Sequence, residues 1–182
     1  MATDRIILGI DPGTNIMGYG IIACQGKTFR VLALGVLKLG RIEAHGGKLK
    51  KIFERTQGLI DEFHADELAI EAPFFGKNVQ SMLKLGRAQG VAIAAALHRR
   101  IEYYEYSPRK IKQSITGRGE ASKEQVAAML GHMMPLPDVP ETLDATDGLA
   151  VAVCHALQGF TMEKQRYGGW DSFLKNNPGR LK

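Results

Sequence analysis

The stretch that most constrains this chain is a short apolar run near its start, which ends abruptly at an acid, a proline and a glycine. Residues 5–11 have the length and composition of a buried strand. Pro12 cannot donate a hydrogen bond to a neighbouring strand, and Gly13 tolerates unusual backbone angles, so the strand must end there. Asp11 is then the last strand residue, held rigidly with its carboxylate outside the core. Such a carboxylate suits a metal ion, although it could equally cap the following turn. Residues 19–23 are expected to return beside it as a second strand.

The hydrophobic pattern downstream of this hairpin switches repeatedly between the periods of strands and helices. In the segment 47–64, apolar residues such as Leu49 and Ile52 recur at helical spacing, and charged residues lie mostly on the opposite face. The predicted elements are further strands at 29–37, 67–73 and 102–106, and helices at 47–64, 79–99, 123–133 and 142–159. This order predicts an α/β domain in which helices cover both faces of a mixed central sheet.

Length and composition are those of one globular domain. The chain has 182 residues, of which 45% are hydrophobic and 24% are charged. We assign residues 1–160 to this domain and residues 161–182 to a basic, flexible C-terminal tail. No apolar stretch approaches the roughly 18 residues of a membrane helix, and the N-terminus does not resemble a secretory signal. With only two isolated cysteines, Cys24 and Cys154, the chain is expected to be cytoplasmic and to have no membrane partner.

Four carboxylates stand out by position. Asp11 and Glu71 each end a predicted buried strand, and Asp144 and Asp147 lie three residues apart, on one face of the last helix. An acid at a helix start can simply favour the helix dipole, which is a fair alternative for Asp144. Asp147 lies one turn further in, among small apolar residues, and needs a partner. Four converging carboxylates repel each other unless cations neutralise them, and oxygen ligands favour Mg²⁺. Two such ions suit in-line hydrolysis of a phosphodiester.

The segment 107–124 carries an excess of positive charge, in a chain whose formal net charge is +5. Two glycines, Gly117 and Gly119, predict a pliable segment, and Ser122 is expected to cap the helix that follows. Such a segment is suited to phosphate contacts, which would make DNA binding depend strongly on salt. Its basic residues are Arg109, Lys110, Lys112, Arg118 and Lys123.

Several motifs, in order and at matching spacing over roughly residues 5–160, resemble the bacterial RuvC Holliday-junction resolvases. They are Gly-Ile-Asp-Pro-Gly at 9–13, Ala-Ile-Glu at 69–71, Leu-Lys-Leu-Gly at 83–86, Gly-Val-Ala at 90–92, and Asp-Ala-Thr-Asp-Gly-Leu-Ala at 144–150. The resemblance implies a ribonuclease H-like fold with a five-stranded sheet. It also implies a homodimeric, Mg²⁺-dependent endonuclease that resolves four-way DNA junctions by paired symmetric nicks in recombination and repair.

The same resemblance assigns roles to individual residues. Lys112 and Lys123 match basic residues that act near the scissile phosphate, and Phe74 matches an aromatic that stacks on bases at the junction. Because Phe75 follows directly, either ring could do the stacking, and Lys77 is a further candidate DNA contact in this loop. Both rings could instead plug the protein's own core. The metal ligands, for two Mg²⁺ ions per subunit with Mn²⁺ as a plausible substitute, would be Asp11, Glu71, Asp144 and Asp147.

The implied partners are four-way junction DNA, a second copy of the chain and the RuvA–RuvB branch-migration complex. Two symmetric nicks favour a two-fold dimer, because one site makes one nick. Small residues at Gly86, Gly90 and Ala94 form a stripe on the helix after Glu71, and they would let another backbone approach closely. We expect this stripe to pack on the protein's own sheet, with residues beside it such as Gln89 meeting the partner, or to form the dimer contact itself.

Two other functions stay open. A non-catalytic junction-binding module would have the same fold, but it would be expected to have lost at least one of the four acids. The turn after Asp11 also resembles the first phosphate loop of actin-like and sugar-kinase ATPases. Those proteins close two such domains over ATP and carry a second Asp-Gly-Gly loop, and this chain has neither. The ATPase is therefore the weaker alternative.

Overall fold

The computed structural model describes residues 4–26, 28–73, 78–136 and 143–164, and side chains only as far as 158 in the last range. In these ranges the strands are β1 (Arg5–Asp11), β2 (Ile16–Gln25), β3 (Thr28–Lys38), β4 (Glu67–Glu71) and β5 (Glu102–Tyr106). The helices are α1 (His45–Phe63), α2 (Val79–His98), α3 (Pro108–Thr116), α4 (Lys123–Met133) and α5 (Leu143–Lys164). No described helix is both long enough and apolar enough to cross a membrane.

The five strands form one mixed sheet in the order β3-β2-β1-β4-β5. β1 pairs antiparallel with β2 and parallel with β4, and β4 in turn pairs parallel with β5. The predicted mixed five-stranded sheet is confirmed. Because β1 and β4 are parallel neighbours, their carboxyl ends meet at one edge of the sheet, where Asp11 and Glu71 are the last residues of their strands.

Helix α5 lies directly on one face of the sheet because glycines remove the side chains that would separate them. A Cβ atom on Gly9 would lie 2.3 Å from the carbonyl oxygen of Gly148, and one on Gly20 would lie 2.4 Å from Cα of Leu149. On the helix side, a Cβ atom on Gly148 would lie 2.5 Å from Cα of Tyr19. This close contact fixes the height of the first turns of α5 above β1 and β2, and those turns carry two of the four acids.

Helices α1 and α2 cover the other face, so each face of the sheet has its own apolar core. Ile52 and Leu59 of α1 and Ala88 and Ala92 of α2 are buried in the core opposite α5. The core beneath α5 includes both free cysteines, Cys24 and Cys154, which are buried.

Helix α5 runs beyond its predicted end at residue 159, because one glycine in a helix costs only about 1 kcal/mol and does not force the helix to stop. It therefore crosses the predicted domain boundary at residue 160. Residues 165–182, and Thr142 at the predicted helix start, lie outside the described residues. The flexible tail stays a prediction.

The prediction of a pliable basic segment is wrong for residues 108–116, which form helix α3. The Ser107 hydroxyl accepts a hydrogen bond from the backbone N–H of Lys110 at 3.2 Å, and Pro108 occupies the start of the helix, where its missing N–H costs nothing. Gly117 ends the helix with a positive φ of 76°. The turn signals therefore act as helix caps, and the basic side chains project from a fixed scaffold.

The predicted helix at 123–133 is confirmed, including its cap. The backbone N–H of Ser122 donates to Oε1 of Gln125 at 2.9 Å, and the N–H of Gln125 donates to the Ser122 hydroxyl at 3.3 Å. This reciprocal pair fixes where α4 begins, and therefore where Lys123 lies.

The small-residue stripe on α2 faces away from the sheet, so the prediction that it packs on the protein's own sheet is wrong. A Cβ atom on Gly86 or Gly90 would meet no described atom within 4 Å, and Ala94 is exposed. The face of α2 that contacts the sheet carries Ala88 and Gln89 instead. Gln89 is thus buried in its own subunit and cannot serve as a residue that meets a partner.

Candidate active site

Two of the predicted acids meet at the shared end of β1 and β4. Asp11 and Glu71 both line a cavity of about 190 Å³ between the sheet edge and helices α3, α4 and α5. Asp147 from α5 lines the same cavity, so three predicted ligands converge on it. The remaining lining residues are Pro108, Ile111, Lys112, Lys123, Val126 and Ala150. Acids and lysines thus share a cavity that has an apolar wall.

The two acids of α5 differ in environment. The Asp147 side chain is only 15% exposed, as expected for an acid one turn inside an apolar helix, whereas that of Asp144 is 36% exposed. Asp144 does not belong to the cavity lining, but its Oδ1 lies 3.5 Å from Nζ of Lys123, which does. Asp144 is therefore placed beside the cavity rather than within it.

Lys123 is the cation that joins this cluster. Its Nζ donates a hydrogen bond to Oδ2 of Asp147 and forms an ion pair with Asp144. Lys123 is the first residue of α4, where a positive charge is unfavourable because the start of a helix carries partial positive charge. The carboxylates of α5 compensate for that position. The contact therefore ties the start of α4 to the start of α5.

Burial first, and then mutual repulsion, raises the pKa values of the acids in the cavity. Burial, together with the neighbouring charges of Asp147 and Asp144, raises the pKa of Asp11 to about 7 against the opposing effect of Lys123. Burial and the charges of Asp11 and Asp147 raise the pKa of Glu71 to about 8. Burial also raises the pKa of Asp147, which its hydrogen bond to Lys123 partly offsets. The two acids that end the strands therefore hold their protons more tightly than ordinary carboxyl groups do.

The donor set fits hard divalent cations. Carboxylate oxygens are the ligands that Mg²⁺ prefers, and buried carboxylates with raised pKa values gain most from an added positive charge. Among the described residues, no three His, Cys, Asp or Glu side chains already surround one point as a finished metal site. Lys123 contacts Asp144 and Asp147 together, and its ammonium group supplies positive charge that an ion would otherwise bring. Ion binding would therefore require this side chain to shift.

Lys112 lines the cavity from α3, as its predicted role requires. Its positive charge acts to lower the pKa values of Glu71 and Asp147. The helix that carries it is anchored by buried Ile111 and Ile115, which belong to the core beneath α5. Lys112 thus points into the acidic cavity from a rigid position.

Three of the other predicted DNA contacts, Arg109, Lys110 and Arg118, do not line this cavity. Arg109, Lys110 and Arg118 are exposed on α3 and the loop that follows it, and Nε of Arg109 lies 3.9 Å from a carboxylate oxygen of Glu120. Phe74, Phe75 and Lys77 lie outside the described residues, so their roles stay predictions.

His155 occurs on α5 well beyond the acids and has contacts of a structural kind. Its Nε2 lies 2.8 Å from Oε2 of Glu67, and its Nδ1 lies 2.6 Å from the hydroxyl of Tyr106. The ring of Tyr104 stacks on it with centroids 4.3 Å apart. His155 therefore joins α5 to the first residue of β4 and to two tyrosines of β5, and it does not line the cavity.

One buried polar residue near the site was missed by sequence reasoning. Gln89 is 7% exposed, and its Nε2 lies 3.4 Å from the backbone oxygen of Glu71 and 2.6 Å from Oε1 of Glu105. The sequence feature that could have indicated its role is a glutamine on the alanine-rich face of α2, the face that meets the sheet.

The ribonuclease H-like nucleases are defined by this strand order together with the placement of their acids. Those acids lie at the ends of two adjacent parallel strands and on a helix that crosses them. A solved structure of Thermus thermophilus RuvC has the same fold, with a TM-score of 0.77 and 31% identity over 86% of this chain and 96% of that chain. The predicted fold class is therefore confirmed.

Sequence comparison then gives the family. The model of the crossover junction endodeoxyribonuclease RuvC matches residues 7–155. A protein of that name from Cytophaga hutchinsonii is 59% identical over 179 residues, which cover 98% of this chain and 89% of that protein. A structure of Thermus thermophilus RuvC in complex with a Holliday junction substrate matches with a TM-score of 0.78 and 30% identity, covering 85% of this chain and 94% of that chain. The chain belongs to the RuvC family.

Proposed function

We propose that this protein is a structure-selective endonuclease that resolves four-way DNA junctions in recombination and repair by paired symmetric nicks. The observation that supports this most is the convergence of Asp11, Glu71 and Asp147 on one cavity that also holds Lys112 and Lys123. Acids in such a cavity can bind cations, and lysines beside them can bind a phosphate. Both are needed for hydrolysis of a phosphodiester. The family name, crossover junction endodeoxyribonuclease, likewise describes an enzyme that cuts DNA at crossover junctions.

The nucleases of this family depend on metal ions, and we propose two Mg²⁺ ions per subunit here, with Mn²⁺ as a substitute. The proposed ligands are Asp11, Glu71, Asp144 and Asp147. Bound ions of this kind lower the pKa of an attacking water and stabilise the leaving oxygen. Asp11 and Glu71 end strands buried in the sheet, so the backbone cannot move them apart when the cavity fills.

The lysines are proposed to act on the phosphate. Lys112 reaches the cavity from a helix whose apolar side is buried, so its ammonium group can meet a scissile phosphate without a large loop movement. Lys123 is paired with Asp144 and Asp147, and it becomes free to contact DNA when other cations neutralise those acids. The apolar wall of Ile111, Val126 and Ala150 keeps bulk water away from one side and strengthens these charge interactions.

We further propose that the protein works as a two-fold homodimer. The stripe of Gly86, Gly90 and Ala94 is open on the surface of α2, next to Leu83 and Leu97, which are 51% and 54% exposed. These residues recur at helical spacing and form one apolar face that none of the residues described by the structure covers. A second copy placing the same helix there would bury both faces.

Further parts of the proposal rest on the sequence alone, either on its charge pattern or on its resemblance to the family. We propose that residues 165–182, beyond the end of α5, form a basic tail, that Phe74 or Phe75 stacks on junction bases, and that Lys77, Arg109, Lys110 and Arg118 contact DNA. The RuvA–RuvB complex is the proposed partner for branch migration. The bacterial cytoplasm, where the recombining DNA lies, is the proposed location.

Cleavage of a synthetic four-way junction tests the function directly. Purified protein with Mg²⁺ should cut the junction at symmetric positions and leave a linear duplex of the same sequence largely intact. A protein that binds the junction but cuts neither substrate would be a non-catalytic binding module. One that hydrolyses ATP instead would support the ATPase alternative.

A further inference from the structure

The carbonyl group of Glu71 lies at a position where the sheet cannot supply its hydrogen bond. Strand β1 pairs parallel with β4 in a register that includes Ile10 opposite Ile70. The N–H of Ala72 donates to the carbonyl of Tyr106 on β5 at 2.8 Å, so the preceding carbonyl, that of Glu71, points towards β1. Continuing the register makes residue 12 its donor, and a proline has no N–H. The same Asp-Pro-Gly turn that ends β1 thus removes a donor from its neighbour.

Gln89 supplies a donor at this position. Its Nε2 lies 3.4 Å from the Glu71 carbonyl oxygen and 2.6 Å from Oε1 of Glu105. Glu105 is paired with Ile70, whose side chain belongs to the core covered by α1 and α2. Gln89 therefore holds the end of β4 from behind the sheet, while the Glu71 carboxylate lies in the cavity on the front.

The burial of Gln89 needs a reason, because a glutamine loses hydration and rotamer freedom there. The neighbouring buried positions of α2 are alanines, Ala88 and Ala92, and an apolar side chain would fill the same space without that cost. Its amide nitrogen offers two hydrogens, and the two oxygens within reach are the acceptors for them. One of these acceptors belongs to the residue that carries a proposed metal ligand.

We propose that Gln89 is a positioning residue for Glu71: by hydrogen-bonding the backbone at the end of β4, it sets where the Glu71 carboxylate lies in the cavity. The inference rests on the proposed function, because it assumes that Glu71 binds metal. It extends the active site through the sheet to α2, the helix whose outer face is the proposed dimer contact. A shift of α2 would thereby reach the metal site.

Exchanging the side chains of Gln89 and Glu105 separates an effect on the position of Glu71 from an effect on the stability of the protein. The double variant Gln89→Glu with Glu105→Gln keeps the charge and the hydrogen bond between the two side chains, now donated by position 105. It removes the donor to the Glu71 carbonyl, but it also moves the negative charge from exposed position 105 to buried position 89, so the uncharged Gln89→Met is the comparison that separates loss of the donor from movement of the charge. Gln89→Met removes both hydrogen bonds at nearly constant volume. Ile52→Val is the control, because it loosens the same core from helix α1, and Glu71 is not part of that core.

The measurements are melting temperature, Mn²⁺ affinity by titration calorimetry or electron paramagnetic resonance, and junction affinity without metal. Mutation of a residue that hydrogen-bonds a metal ligand typically weakens metal binding 10–100-fold. The exchange variant and Gln89→Met should bind Mn²⁺ about tenfold more weakly, at the lower end of that range. Their junction affinity should stay within about twofold of the wild type, and Ile52→Val should bind Mn²⁺ normally whatever its melting temperature.

If the exchange variant, the double variant Gln89→Glu with Glu105→Gln, bound Mn²⁺ with wild-type affinity, the inference would be overturned. That result would decide the matter even if Gln89→Met failed to fold. An equal loss in Ile52→Val would also overturn it, since general loosening of the core would then explain the effect. If the wild-type protein itself bound no Mn²⁺, the proposed metal site would fail, and the positioning role with it. A wild type that binds Mn²⁺ beside an unaffected exchange variant overturns the positioning role alone.

Discussion

Replacing Asp11 with asparagine should make the metal-free protein more stable while abolishing its nuclease activity. The folded protein raises the pKa of Asp11 from 3.8 to about 7, mainly through burial and then through the charge of Asp147. The folded state therefore holds the proton more tightly than the unfolded state. Above pH 7 the ionised carboxylate opposes folding, and an uncharged asparagine of the same size removes that cost.

The magnitude follows from the same proton affinities. A tenfold change in proton affinity corresponds to about 1.4 kcal/mol, so the ionised Asp11 costs at most about 4 kcal/mol at pH 8. Water in the open cavity screens part of this cost, and the asparagine side chain of the variant loses the attraction to Lys123. We therefore expect a gain of about 1–3 kcal/mol, which for a domain of this size is a rise of about 3–10 °C in melting temperature.

The assay is thermal unfolding in EDTA at pH 8 and again in excess Mg²⁺. Asp11→Asn should melt above the wild type in EDTA, whereas Mg²⁺ should stabilise the wild type much more than the variant, because ligand binding adds to stability only where the site exists. Asp61→Asn is the matched control. Asp61 is exposed, and its hydrogen bond to Arg99 lowers its pKa, so that substitution should not stabilise the protein. An Asp11→Asn protein that melts at or below the wild type in EDTA would refute the reasoning.

Three further predictions follow from the charges, and a fourth from the open helix face. The raised pKa values of Asp11 and Glu71 mean that the folded state binds more protons than the unfolded state, so the metal-free wild type should lose stability as pH rises from about 5 to 8.5. Mg²⁺ should flatten that pH dependence. Thermal melts across this pH range check the prediction, and stability that rises with pH would contradict it. Lys112→Ala should slow cleavage and reduce the slope of log affinity against log salt by about 0.9, the value for one phosphate contact, in junction-binding titrations; an unchanged slope would exclude that contact. Lys123→Ala should tighten Mn²⁺ binding to the DNA-free protein more than Lys112→Ala does, because Lys123 is paired with the acids of α5, and calorimetry showing equal effects would mean that only general charge matters. Gly90→Leu should leave the subunit folded, since its Cβ meets no described atom within 4 Å, but it should give a monomer in sedimentation; a folded dimer would place the interface elsewhere.

Much of the fold could be predicted because local signals agreed with the tertiary structure. The proline and glycine after Asp11 end β1 where expected, and Ser122 caps α4 where expected. The strand order could not be predicted from period and turns alone, because register and neighbours depend on contacts distant in sequence. It required the resemblance of the motifs to a family.

Parts of the candidate site could likewise be predicted from local sequence signals, and other parts depended on contacts distant in sequence. Strand ends predicted the positions of Asp11 and Glu71, and helical spacing placed Asp147 on one face with Asp144. The prediction of a pliable basic segment is wrong because a glycine such as Gly117 can equally end a helix, as it does for α3. The role of Gln89 was missed because the missing donor of Pro12 matters only once β1 and β4 are known to be neighbours.

The measurement that tests the central claim most directly compares binding and cleavage in Asp147→Asn. Asp147 lines the cavity and is paired with Lys123, so its loss should remove a metal ligand without removing a DNA contact. At fixed salt, the variant should bind a synthetic four-way junction at least as tightly as the wild type, and in Mg²⁺ it should produce no nicks. Normal cleavage, or loss of junction binding together with cleavage in a folded variant, would contradict the assignment of this cavity as the metal-dependent active site.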